Sequence, residues 1–213
     1  MQHSNPPKLP ETVTGTPSKY LEIDMIIEKP LKNLTLKLIH GDITKIPTDC
    51  IVNAANNRCL GGGGVDGAIH RAAGHHLYEE CLTLNGCETG QAKMTDAYDI
   101  KSAKKIIHTV GPMVKKKTVT EKEENLLKSC YVNSMNLANS YGFSSISFPC
   151  ISTGVYGYDA KKACELVVRT MVEYDKYLDK AEVKEAGNML SEVIFVCFLG
   201  SDVEFYCEQL KQL

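Results

Sequence analysis

The sequence lacks an excess of charge of either sign: 24 Lys and Arg stand against 26 Asp and Glu, a formal net charge of -2. Binding to a nucleic-acid polymer rests on many cations facing phosphates, so no polymeric nucleic acid is expected as a partner. A single nucleotide stays open as a ligand, because backbone amides hold phosphate without net charge. Also missing is any apolar run long enough to cross a bilayer. The longest, around Val193 to Leu199, has the length of a strand, and no membrane association is expected. The N-terminus shows no charged stretch followed by an apolar one, so a secretory signal is not expected either. Among nine cysteines there is no CxxC pair. Their odd number, and the placing of Cys50, Cys150, Cys164 and Cys197 inside apolar segments, argue against a disulfide framework or zinc site. Reduced core thiols in a cytoplasmic or nuclear protein are expected. His75 and His76 are adjacent but have no partner at metal-ligand spacing, and read as a solvated helix start. No metal or redox cofactor is implied.

What is present fits one domain. The 213 residues, 43% hydrophobic and 23% charged, allow a sizeable core and argue against wholesale disorder. Residues 1–18 carry four prolines with several Ser and Thr, and are expected to form a flexible tail to a single domain over residues 19–213. Tyr20 to Ile27 reads as a short helix packed on that domain. From Leu34 onward, apolar segments of strand length alternate with helical ones. The strands are expected at Leu34 to Ile39, Asp49 to Ala54, Met94 to Tyr98, Lys105 to Val110, Ser145 to Ile151 and Glu192 to Leu199. The helices are expected at Val65 to Ala73, His76 to Thr83, Glu121 to Tyr141, Asp159 to Leu178 and Val203 to Leu210. Such alternation implies a three-layer α/β/α sandwich around a central mixed, largely parallel sheet. The stretches Lys115 to Lys122 and Lys180 to Gly187 read as exposed connections.

In sheets of this kind, ligands bind beyond the carboxyl ends of the strands. Three loops leave those ends with unusual chemistry. Gly61, Gly62, Gly63 and Gly64 run from a strand into a helix that opens Val65-Asp66-Gly67, where backbone amides and the positive helix end favour a phosphate. A glycine run alone is equally a flexible connector. The loop has neither the GK[ST] ending of a P-loop nor a clean GxGxxG, which removes ATPase and dinucleotide oxidoreductase readings. Ser152-Thr153-Gly154-Val155-Tyr156-Gly157-Tyr158 again joins a strand to a helix, and two such loops side by side would enclose a diphosphate. Tyr156 could cover a sugar or merely pack. Asp42, after Gly41, could accept from an exocyclic amine or make a turn. Asn53 and Asn56 could hold ligand hydroxyls or shape their own backbone.

Together, Gly41-Asp42-Ile43-Thr44, Asp49 to Asn56, Leu60 to Gly74 and Ser152 to Tyr158 closely resemble the macrodomain family, and the long glycine loop ending in VDGAIHRAAG resembles its MacroD-type branch. The resemblance runs from about Leu34 to Leu210. It implies that Asp42 recognises the adenine amino group with support from the backbone of Ile43. Gly61 to Val65 and Ser152 to Tyr156 would hold the diphosphate. Asn56 would bond the distal ribose, with Tyr156 beside it, and Phe198 would pack on adenine unless it is a core residue. Asp66 would be catalytic, polarising a water as general base or, on the plainer reading, capping its helix. His70, one turn on, would orient it or serve structure only. Two departures from relatives stand out. Cys59 precedes the glycine loop with no base nearby to make a thiolate nucleophile, and Asp159 follows Tyr158, where it reads as a helix N-cap.

The implied activity is hydrolysis of the ester joining mono-ADP-ribose to Asp or Glu side chains of proteins, with deacetylation of O-acetyl-ADP-ribose as the related reaction. Alternatives are a reader that binds ADP-ribosylated proteins without turnover and a phosphatase acting on ADP-ribose 1″-phosphate. Readers commonly lack the combination of Asn56 and Asp66. ADP-ribose and mono-ADP-ribosylated proteins are the expected partners, no cofactor is required, and a monomer is expected.

Overall fold

Parallel strands buried on both faces are apolar along their whole length, and Glu192–Cys197 is such a run: Val193, Ile194, Phe195, Val196 and Cys197 are all buried. It lies near the middle of a seven-stranded sheet in a computed structural model that describes residues 24–115, 118–180, 187 and 189–213. The expected tail over residues 1–18, Lys116, Lys117 and most of the connection from Lys180 to Gly187 lie outside the described residues. In chain order the elements are β1 (Asp24–Pro30), β2 (Thr35–His40), β3 (Cys50–Ala54), α1 (Gly64–Ala73), α2 (His75–Thr83), β4 (Ala92–Asp96), β5 (Lys105–Thr109), α3 (Glu121–Ser140), β6 (Ser145–Phe148), α4 (Ala160–Tyr177), β7 (Glu192–Cys197) and α5 (Gly200–Lys211). The sheet order is β1-β2-β7-β6-β3-β5-β4, parallel from β2 to β5 and antiparallel at both edges.

The two-residue alternation of a strand sends its side chains into two separate cores. Leu36 and Leu38, Cys50 and Val52, Ile107, and Val193 and Phe195 face a core closed by α3, α4 and α5. Ile39, Ile51, Ile106, Ile194 and Val196 face the other, closed by Ile69 and Ala73 of α1 with Leu77 and Cys81 of α2. Each fully buried aliphatic or aromatic side chain contributes roughly 1.5–3 kcal/mol of transfer free energy, so these paired faces account for the sandwich. Local signals agree with it. Thr120 and Glu123 form a reciprocal capping box at the start of α3, and Asp159 caps α4 by accepting from the Lys162 amide at 2.9 Å. All nine cysteines are free thiols.

One expected element is different. The segment read as a helix from Tyr20 to Ile27 is, from Asp24 on, the edge strand β1, and Tyr20 to Ile23 lie outside the described residues. It pairs antiparallel with β2, shifts register between Met25 and Ile27, and ends at Pro30. The open edge of β2 offers backbone partners that outweigh a short helix of little packing, and proline is tolerated on an edge. Two strands also stop sooner than their apolar runs. Strand β6 ends at Phe148, before Pro149, which has no N–H to donate. Strand β7 ends at Cys197, where Phe198 and Leu199 turn out to solvent.

Candidate functional site

The parallel register of β3 and β5 sets Asn53 directly beside His108. Both share strand parity with Ile51 and Ile106, so both point at the face covered by α1 and α2. Above them, α1 begins at the glycine loop and brings Asp66 down onto Asn53. Asn53 Nδ2 donates to Asp66 Oδ1 at 2.7 Å and reaches His108 Nδ1 at 3.1 Å. An amide nitrogen only donates, so His108 Nδ1 accepts and its proton sits on Nε2, 2.9 Å from Thr95 Oγ1. The result is a buried polar line running Thr95, His108, Asn53, Asp66.

This line holds a carboxylate out of water. Asp66 is only 4% exposed, and burial pushes its pKa above the ordinary range, opposed by the Asn53 hydrogen bond and the attraction of His70. Burial pushes His70 down, opposed by Asp66. His70 Nε2 lies 3.5 Å from Asp66 Oδ1, yet it is buried without a hydrogen-bond partner among the described residues. His108 is lowered to about 3, by burial first and then by His70, and is neutral.

The glycine loop shapes the opening over Asp66. Gly63 is the N-cap of α1 and no side chain caps that end, so its first amides and the positive helix end face outward. Asp66 itself is the third residue of the helix and not its cap, which removes the capping reading. A Cβ on Gly62 would lie 3.0 Å from Asp66 Oδ2 and 3.3 Å from Asn56 Nδ2, so the two side chains flank this glycine. Asn56 also braces the loop: its Nδ2 donates to the Gly61 carbonyl at 3.0 Å and its Oδ1 accepts from the Arg58 amide at 3.0 Å. Val65 packs half-buried against the α1/α2 core.

The second loop follows β6, the parallel neighbour of β3, and is held by backbone bonds from Tyr158 to Ser152 and from Gly157 to Gly154. Ser152 has φ +68, and its buried Oγ has no partner among the described residues. Gly111 makes room for it, since a Cβ there would overlap Ser152 Oγ and Ile151 Cγ2. Thr153 is tied to the Cys150 carbonyl at 3.1 Å, Gly154 is exposed, and Val155 is 98% exposed. Tyr156 is half-buried, and its pKa is raised by burial and by the charge of Asp66. At the far end, Asp42 Oδ1 accepts from the Thr44 amide at 2.9 Å and hydroxyl at 2.7 Å, so one carboxylate oxygen makes the turn. Ile43 buries its side chain in the α1/α2 core. Phe198 is 78% exposed and therefore not a core residue.

The Macro domain family model matches residues 52–167. This chain belongs to the macro domain family. A macro domain-containing protein of Ralstonia nicotianae is 46% identical over 183 residues, 86% of this macro domain chain and 98% of its own. ADP-ribose glycohydrolase MACROD1 of Rattus norvegicus is 44% identical over 206 residues, spanning 96% of this chain and 75% of the relative. Among solved structures, the Oceanobacillus iheyensis macrodomain with ADP superposes with a TM-score of 0.78 at 37% identity, covering 90% of this chain and 97% of that one.

In this macro domain the glycine loop and the Ser152 loop follow β3 and β6, neighbouring parallel strands, Asp42 and Phe198 lie beyond β2 and β7 at the same end of the sheet, and Asp66 and Asn56 both flank Gly62. Asn53 departs from its expected place among ligand contacts: it is fully buried and grips Asp66 from behind, because β3 parity points it inward. His108 and Thr95 escaped the sequence reading. The available signal was a lone histidine in the apolar run Lys105 to Val110, but its meaning depends on the β3 to β5 register. His75 and His76 are solvated at the start of α2, 3.6 and 2.9 Å from Glu79. The Cys59 thiol is pushed up by its hydrogen bond with Cys87 and by burial, which suits packing rather than nucleophilic attack.

Proposed function

We propose that this macro domain binds ADP-ribose at the carboxyl ends of its strands and hydrolyses mono-ADP-ribose from Asp and Glu side chains of proteins. The observation that carries the reading is Asp66: a buried carboxylate, raised in pKa, gripped by Asn53 and set beneath an uncapped, glycine-lined helix N-terminus. A helix start of that kind takes phosphate, and a carboxylate lifted toward neutrality is suited to accept a proton from water. Names borne by relatives agree: MACROD1 of Rattus norvegicus is an ADP-ribose glycohydrolase, and the Oceanobacillus iheyensis macrodomain was solved with ADP.

In the proposed reaction Asp66 takes a proton from a water as that water attacks the ester, either at the anomeric carbon of the distal ribose or at the carbonyl. The ester C–O bond at the attacked carbon breaks, the proton held by Asp66 passes to the departing oxygen, and the products are ADP-ribose and the free side-chain acid. Asn56 and Tyr156 would position the ribose, and Asn53 fixes the orientation of Asp66. O-acetyl-ADP-ribose presents an ester of the same class and is proposed as a second substrate. The test is incubation with a protein mono-ADP-ribosylated on carboxylates, in water enriched in heavy oxygen. Release of ADP-ribose is expected, and the product that carries the label reads which carbon is attacked. Tight ADP-ribose binding without release would make the domain a reader.

A further inference from the structure

Behind Asp66 lies a group of side chains that the proposed reaction leaves unused. His70 comes from α1, Cys81 from α2 and His108 from β5, and one ligand atom of each lies within 4.8 Å of the others. Cys81 Sγ is 3.7 Å from His108 Nε2. In a tetrahedral zinc site, with Zn–S of about 2.3 Å and Zn–N of about 2.0 Å, neighbouring ligand atoms stand roughly 3.5 Å apart. His70 Nε2 is buried without a partner among the described residues, and Asp66 Oδ1 at 3.5 Å from it supplies a fourth donor. We propose that His70, Cys81, His108 and Asp66 form a binding site for a single zinc-like cation beneath the mouth of the cleft.

The donor set selects the metal. Two imidazoles with one thiolate suit zinc and its softer relatives, and exclude magnesium and calcium, which require oxygen ligands. Binding replaces the Cys81 S–H bond with an S–metal bond and releases one proton to solvent. A thiolate ligand binds metal only in its deprotonated form, so affinity will rise with pH. His108 must present a lone pair at Nε2 and carry its proton on Nδ1. The Asn53 Oδ1 atom, buried and unpartnered, becomes the acceptor for that proton if the amide turns over, while Asp66 exchanges Asn53 for the metal. Cys81 and His108 need to close by only about 0.2 Å, whereas the longest separation, up to 4.8 Å, must close by about 1.3 Å toward the roughly 3.5 Å of a tetrahedral site, through side-chain rotation on three separate elements.

A cation here draws Asp66 away from the cleft, so zinc would slow hydrolysis by that residue. This consequence rests on the proposed function, whereas the metal site does not, and the test therefore reads binding rather than turnover. The purified protein is titrated with Co²⁺ as a spectroscopic stand-in, with Zn²⁺ as competitor. One equivalent is expected to bind, with a thiolate-to-cobalt charge-transfer band that zinc abolishes. Cys81→Ala should lose the band and more than ~100-fold in affinity, beyond the roughly 10–100-fold that loss of an outer-shell partner costs. A double His75→Ala and His76→Ala variant should keep both. Should Cys81→Ala fail to fold, X-ray absorption of the unmodified zinc-loaded protein must read one sulfur and two imidazoles around the metal. Absence of a stoichiometric band in the unmodified chain, its survival in folded Cys81→Ala, or a first sphere without sulfur overturns the site.

Discussion

Asp66→Asn exchanges a carboxylate for an amide of the same shape at the point where the proposed chemistry starts. Its effect on stability can be worked from the surroundings. Gly63, not Asp66, caps α1, so no cap is lost. The oxygen of the introduced amide can still accept from Asn53 Nδ2, and removing a buried charge relieves the burial that raises the Asp66 pKa. Against this stands the loss of an anion in the first turn of a helix, roughly 0.3–1 kcal/mol. The folding free energy should therefore change by no more than about 1 kcal/mol. An amide cannot take a proton from water, and loss of a general base costs about 10²–10⁴ in rate, or about 3–5 kcal/mol of barrier. Three assays on one preparation decide the matter: thermal melting, calorimetry with ADP-ribose, and release of label from a carboxylate-modified protein. The expected outcome is an intact fold, unchanged or tighter binding as carboxylate-phosphate repulsion disappears, and turnover down at least ~100-fold. Turnover within a factor of about three of the unmodified protein would refute the base assignment. Loss of binding along with turnover would place Asp66 in recognition instead.

With burial lifting Asp66 against the lowering influence of Asn53 and His70, kcat/KM should fall on acidification through an apparent pKa above the ordinary carboxylate value of about 3.9; a limb at or below that value argues against a buried base. Asp42→Ala should weaken ADP-ribose binding by roughly 1–3 kcal/mol, while Asp42→Asn keeps the acceptor for Thr44 and so preserves the turn; calorimetry beside melting curves tells recognition from turn-making. Asp49 is raised by burial but held down to about 2 overall by hydrogen bonds from Lys104 and Ser144. Its folded pKa lies below the unfolded one, so its stabilisation is present above about pH 4 and lost as pH falls toward 2. Asp49→Asn should cost about 1–2 kcal/mol at pH 7, allowing for solvent screening, with the gap closing in acid; a pH-independent gap would contradict the ion-pairing account. Gly111→Ala forces a methyl into Ser152 and Ile151, and should cost about 1–3 kcal/mol in stability and weaken ADP-ribose binding; an unchanged melting temperature would show that the Ser152 loop yields freely.

The strands from β2 onward and the loops at their ends were legible because each signal is local: a strand-length apolar run, a glycine stretch before a helix, an Asp at an N-cap. Strand β1 was not, since a short segment such as Asp24 to Pro30 carries too few residues to reveal its period, and only the free edge of β2 decides its state. The mouth of the site followed from the loops, but its floor did not. Whether Asn53 faces ligand or core depends on the parity of β3, one residue either way. His108 gains its role from lying beside Asn53 in register, and the gathering of His70, Cys81 and His108 requires three elements to be placed before any spacing can be seen.

The four glycines of the loop share a letter but answer to different constraints. A Cβ at Gly61, where φ is +84, would press on the His70 ring at 3.3 Å, and one at Gly62 would crowd Asp66 and Asn56. Those two positions are policed by the protein itself. At Gly63 nothing stands within 4 Å and φ is an ordinary -95, so an added side chain there meets open space. If the proposed ADP-ribose site is right, a variant at Gly63 is expected to fold and melt like the parent while losing affinity for the diphosphate. On that reading, a screen that scores only abundance or thermal stability passes such a protein, and only a binding assay exposes the defect.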